Sequence, residues 1–81
     1  MDELNRLRRE IDELDDTLME LLEKRFNISK QIGYIKKKNT LDVTHPGREQ
    51  AILNKASSFN NKDSIEAVYA TIFKTSKLIQ K

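Results

Sequence analysis

The chain has 81 residues, of which 37% are hydrophobic and 35% charged, with a net charge of +2 and no cysteine. That length allows one small domain, 1–81, with a marginal core. The composition excludes disulfides and thiolate metal sites, while one histidine, His45, gives no basis for a histidine-rich metal centre. No stretch approaches a membrane span and the acidic N-terminal segment has no secretory apolar run, so a soluble, cytoplasmic protein is expected.

The first predicted element is a helix over about 3–38. Its apolar residues fall at Leu4, Leu7, Ile11, Leu14, Leu18, Leu21, Ile28, Ile32 and Ile35, in alternating three- and four-residue steps apart from one gap, the pattern of a helix seam. No proline interrupts it, and Asp2 and Glu3 stand at its positive end. At 1.5 Å per residue it spans roughly 50 Å, whereas a compact globule of this length has a diameter of about 30 Å. The remaining residues cannot cover such a stripe, so it predicts a partner, most simply a second copy.

Position 25 in that seam, where the gap falls, holds an arginine. A guanidinium keeps its charge when buried and needs an anion beside it. Either the protein supplies one, with Glu20, Glu23 and Glu49 as candidates, or a ligand does. Lys36 follows eleven residues later, close to three turns, which puts both cations on one face about 16 Å apart along the axis. Arg8 also borders the stripe but lies about 25 Å from Arg25 along the helix. One small molecule therefore reaches both only if Arg8 comes from a second chain. Lys36, Lys37 and Lys38 also suit the negative end of the helix dipole.

After a loop over 39–45, Pro46 is suited to the first turn of a second helix, 46–57, with His45 as a loop or N-cap residue. Glu49 is favoured in that first turn by the dipole. The third helix is expected over 63–80, with Asp63 and Glu66 in a capping-box arrangement. Its apolar side (Ile65, Val68, Tyr69, Ile72, Phe73, Ile79) runs into Ser76 and Gln80. These two polar residues either face solvent at the helix end or serve as neutral donors beside the cations. The chain reads as all-α, three helices of unequal length.

The motifs LRREIDELDDTLMELLEKR (Leu7 to Arg25), IGYIKKK (Ile32 to Lys38), PGRE (Pro46 to Glu49) and SKLIQ (Ser76 to Gln80) resemble, in order and spacing, the all-helical (AroQ-type) chorismate mutases. The resemblance covers nearly the whole chain and implies an intertwined homodimeric helical bundle with shared active sites. It implies the rearrangement of the dianion chorismate to prephenate, in the biosynthesis of phenylalanine and tyrosine, with no cofactor and no metal. By the same resemblance, Arg25 clamps one substrate carboxylate and Arg8 from the partner subunit grips the other. Lys36 and Gln80 flank the ether oxygen, Glu49 receives the ring hydroxyl, and Arg48 and Ser76 are accessory. One position departs: the family commonly has an aspartate three residues before the Arg-Glu pair, and this chain has His45. The alternatives are an isochorismate–pyruvate lyase on the same scaffold, or a non-enzymatic helical dimerisation or nucleic-acid-binding module. The latter accounts for the heptads and the lysine run but not for an arginine in the seam. Neither nucleic acid nor membrane is expected as a partner.

Overall fold

A computed structural model describes residues 2–81; Met1, the first residue of the expected domain, lies outside the described residues. Three helices follow in order, α1 (Asp2–Lys38), α2 (Pro46–Ala56) and α3 (Lys62–Gln80), with no strand among the described residues. Each boundary falls within a residue of expectation.

The 37-residue α1 sets the shape. The principal extents are 56 × 24 × 15 Å and the radius of gyration is 16.0 Å, well above the roughly 12 Å of a compact chain of this length. Only the C-terminal half of α1 meets the rest of the molecule. Every described residue from Asp2 to Leu21 is exposed, whereas Ser29 and Gly33 are buried.

The face that α1 turns to α3 is not the middle of the apolar stripe. It runs through Arg25, Ser29 and Gly33, four residues apart and therefore on one side of the helix. Small residues there bring the backbones together. A Cβ built on Gly33 would lie 2.7 Å from Gln80 Cα and 2.8 Å from Gln80 O, closer than any side chain tolerates. Glycine in mid-helix costs about 1 kcal/mol relative to alanine; here it permits the close crossing that buries Gln80. Helix α3 runs in the same sense as α1, since Arg25 meets Ser76 and Gly33 meets Gln80.

Helix α1 ends in a Schellman motif. Leu41 N–H donates to Lys36 O at 2.7 Å and Thr40 N–H to Lys37 O at 3.2 Å, with Thr40 at φ 55°. A β-branched residue in this left-handed region is strained, and glycine is the usual occupant. The turn sends the chain back into α2, which packs on α3 while its backbone stays apart from that of α1. The gap between α1 and α2, floored by α3, is where the polar residues gather.

One local expectation is revised and one is met. The start of α3 is capped by Asn61, without a side-chain bond. The helix begins at Lys62, so Asp63 lies inside the first turn, where it complements the dipole instead of capping. At the start of α2, His45 is the N-cap: its Nδ1 accepts the Arg48 N–H at 3.1 Å. An imidazole thus does what a capping carboxylate does, with Nδ1 as the acceptor.

Candidate active site

Arg25 projects from the second half of α1 into the angle between α1 and α3. Its Nη1 donates to Ser76 Oγ at 2.8 Å, and its guanidinium carbon lies 5.9 Å from the centroid of the Tyr69 ring, within cation–π range. Tyr69 is itself braced by Phe73, ring to ring at 5.6 Å and 51°, a tilted arrangement that aromatic quadrupoles favour. Among the described residues no carboxylate pairs with Arg25; Glu20 and Glu23 are exposed, and Glu49 is engaged elsewhere. A hydroxyl and an aromatic face orient the half-buried cation without neutralising it. Of its five N–H donors, one is used by Ser76.

Ser76 and Gln80 are 6% and 9% exposed. Both are therefore part of the interior, not of a solvated helix end. Gln80 Oε1 is buried with no hydrogen-bond partner among the described residues. Leaving such a group unsatisfied costs roughly 1–3 kcal/mol, which marks the amide as one whose partner comes from elsewhere.

Lys36 is half-buried and its Nζ donates to Val43 O at 3.0 Å. The loop after α1 thus folds back to hold the ammonium, which keeps two further N–H donors. Lys36 is turned inward, while Lys37 and Lys38 remain exposed.

Arg25, Lys36, Ser76 and Gln80 line one cavity of about 320 Å³ between α1, α2 and α3, together with His45, Arg48 and Glu49 from the start of α2. Ile28, Ile32, Ile52 and Phe73 supply its apolar wall. That volume suits a small organic molecule, and a few polar groups converging on apolar walls is the usual form of a ligand site. Four cations, Arg25, Lys36, Arg48 and Lys77, face it against the single carboxylate of Glu49. The excess positive charge selects an anion. A larger groove of about 600 Å³ runs along the other side of α3, past Leu53, Ala70 and Leu78. Neither Arg25, Lys36 nor Gln80 reaches it, so its size does not make it the site. Among the described residues no group of three or more His, Asp or Glu is placed to hold a metal ion.

Arg8 is the site candidate that the chain does not bring to this cavity. It is exposed in the first half of α1, about 25 Å along the axis from Arg25. Two residues that the sequence reading did not single out belong to the site. Gly33 sets the depth of Gln80. Lys77, whose Nζ is 3.0 Å from Glu49 Oε2, lines the same cavity; its place between Ser76 and Gln80 is the signal that would have revealed it. With about a third of each side chain exposed, the Lys77–Glu49 pair contributes about 1 kcal/mol of stability or less.

Known proteins resemble this chain in sequence and in fold. A bifunctional chorismate mutase/prephenate dehydratase from Aquifex aeolicus (strain VF5) is 37% identical over 79 residues, covering 98% of this chain. The chain spans 20% of the length of that relative. A solved structure, a conserved hypothetical protein from Pyrococcus furiosus, superposes with a TM-score of 0.87 at 33% identity over 100% of this chain and 99% of that one. The profile described as chorismate mutase type II matches residues 7–81. With that match over nearly its whole length, the chain belongs to the chorismate mutase type II family.

Proposed function

We propose that this chain converts chorismate to prephenate in a site completed by a second copy of itself. The observation that carries the reading is Arg25: a half-buried guanidinium, oriented by Ser76 and Tyr69 and paired with no protein acid, beside a buried glutamine amide without a partner. With the Gln80 amide turned so that its NH₂ faces the cavity, such a site is complementary to a small anion whose other end accepts hydrogen bonds.

The reaction is an intramolecular Claisen rearrangement: the ether carbon–oxygen bond breaks as a carbon–carbon bond forms, with no proton transfer and no covalent intermediate. Catalysis then consists of holding the enolpyruvyl arm over the ring and stabilising the charge that gathers on the ether oxygen. Arg25 grips one carboxylate, with Ser76 steadying its guanidinium. Arg8 of a second copy grips the other, because Arg8 of the same chain is too distant. Two-point attachment fixes the folded conformer, and bidentate arginine–carboxylate geometry limits its rotation.

Lys36 and Gln80 flank the ether oxygen. Lys36 approaches as an ammonium pre-positioned by Val43 O, and rotation of the Gln80 amide presents its NH₂ to the ligand. Both interactions strengthen as negative charge grows, so they favour the transition state over the ground state. Glu49 accepts the ring hydroxyl, and Arg48 adds positive potential near the ring.

A second copy is also supported by the bare stripe of α1. Leu7, Ile11, Leu14, Leu18 and Leu21 are all exposed in the single chain, Leu14 to 67%. Covering each contributes about 1.5–3 kcal/mol. A homodimer in which the first half of each α1 lies along the other chain covers the stripe and delivers Arg8 at once.

The test is direct. Purified protein incubated with chorismate is followed by absorbance for chorismate loss and prephenate formation, with isochorismate assayed in parallel for pyruvate release. Turnover of chorismate to prephenate is expected. Pyruvate release from isochorismate without prephenate formation overturns the reading in favour of a lyase.

A further inference from the structure

The ion pair between Lys77 and Glu49 has no place in the mechanism above, yet it forms one wall of the cavity. We infer that Lys77 is a positioning residue: it holds Glu49 Oε2 so that Oε1 is left aimed at the hydroxyl of the bound ligand. This rests on the proposed role of Glu49 and deepens it.

Glu49 sits in the first turn of α2, whose backbone lies close to α3 but not to α1. The apolar residues that dock α2, Ile52, Leu53 and Ala56, lie further along the helix. At its first turn, the tie to the rest of the site is the 3.0 Å contact from Lys77 Nζ to Glu49 Oε2. Lys77 is well placed to make it, being anchored between Ser76 and Gln80, both buried against α1. Both residues of the pair border the larger groove as well as the cavity, and without the tie a glutamate side chain with three rotatable bonds samples several rotamers between the two.

The lysine uses one carboxylate oxygen. A carboxylate has two, each able to accept more than one hydrogen bond, so the pair orients Glu49 without consuming it. The contact is partly exposed and correspondingly weak, so Lys77 contributes through geometry more than through stability. The tie raises the rate only by the factor by which it enriches the productive Glu49 rotamer, so a weak contact gives a correspondingly small kinetic effect.

The experiment is a double-mutant cycle measured on chorismate, with Lys77→Met, Lys77→Arg and Glu49→Gln made singly and Lys77→Met combined with Glu49→Gln. Thermal unfolding of each variant is recorded alongside. Lys77→Met is expected to lower kcat/KM about three- to fivefold while unfolding shifts by only a few degrees, the scale of a weak partly exposed pair. Lys77→Arg, which keeps the cation, is expected to recover activity to within about 1.5-fold of the parent. In the Glu49→Gln background, Lys77→Met is expected to cost less than about twofold more, because the two residues act as one unit. An unchanged kcat/KM in Lys77→Met overturns the inference. So does an undiminished Lys77→Met loss in the Glu49→Gln background, which assigns Lys77 a direct contact of its own. Absence of chorismate turnover in the parent chain overturns the mutase reading and this inference together, so the two failures are distinguishable.

Discussion

The two halves of α1 carry the same apolar periodicity and meet different fates. From Asp2 to Leu21 every described residue is exposed; from Leu22 onward the helix buries Ser29 and Gly33 and half-buries Arg25 and Lys36. The half with the more regular leucine pattern is bare, and the half that packs within the chain does so through an arginine, a serine and a glycine. A heptad stripe thus reports that a face will be covered, not by what. In the second half the intrachain face is displaced towards small and polar residues, and Ile28 and Ile32 are left to line the cavity.

The sharpest way to break this contrast is to remove the charge from the packed half. Arg25→Ala is expected to reduce kcat/KM by about 10²–10³, the loss typical of one preorganised electrostatic contact, with circular dichroism unchanged. Mixing Arg25→Ala chains with Arg8→Ala chains should restore activity, because a heterodimer contains one site with both arginines intact. Mixed chains that stay inactive would place Arg8 outside the site.

The bare half is probed by Leu14→Glu. A charge in the middle of the stripe removes about 1.5–3 kcal/mol of apolar burial per copy and adds the cost of desolvating a carboxylate. Sedimentation should show a shift to monomer at concentrations where the parent is dimeric, with activity falling in step. If Leu14→Glu sediments like the parent, the second copy does not lie on this stripe.

Gly33→Ala tests the close crossing in the packed half. Alanine improves helix propensity by about 1 kcal/mol, yet its Cβ meets the Gln80 backbone at 2.7 Å. Overpacking of that kind costs about 1–3 kcal/mol. Denaturant unfolding should show net destabilisation, with a loss of kcat as Gln80 is displaced. A stabilised variant would mean that α3 moves away freely.

The smallest effect is expected beyond the end of α1. Thr40→Gly relieves a left-handed threonine and should stabilise the protein by about 1 kcal/mol, read from the denaturation midpoint. Activity is expected to stay within twofold of the parent because Lys36 and Val43 keep their backbone frame. A destabilised variant would show that the turn is held by the threonine side chain.

Sequence by itself determined the three helices, their order and their ends to within a residue, because periodicity, Pro46 and the charge distribution at the helix ends are local signals. It also marked Arg25, Lys36, Ser76 and Gln80 as polar residues in apolar register, and the structure brings all four to one cavity with Arg48 and Glu49. What it left open were questions of partnership. Whether an own acid satisfied Arg25, and whether Ser76 and Gln80 faced water, depended on the angle at which α3 crosses α1. That angle follows from the contact of Gly33 with Gln80, two residues 47 positions apart. The Lys77–Glu49 pair and the His45 cap were likewise decided by tertiary structure or loop geometry. Periodicity records which side of a helix is apolar, but the hydrogen bonds of a particular side chain depend on distances between elements, and those exist only once the chain has folded.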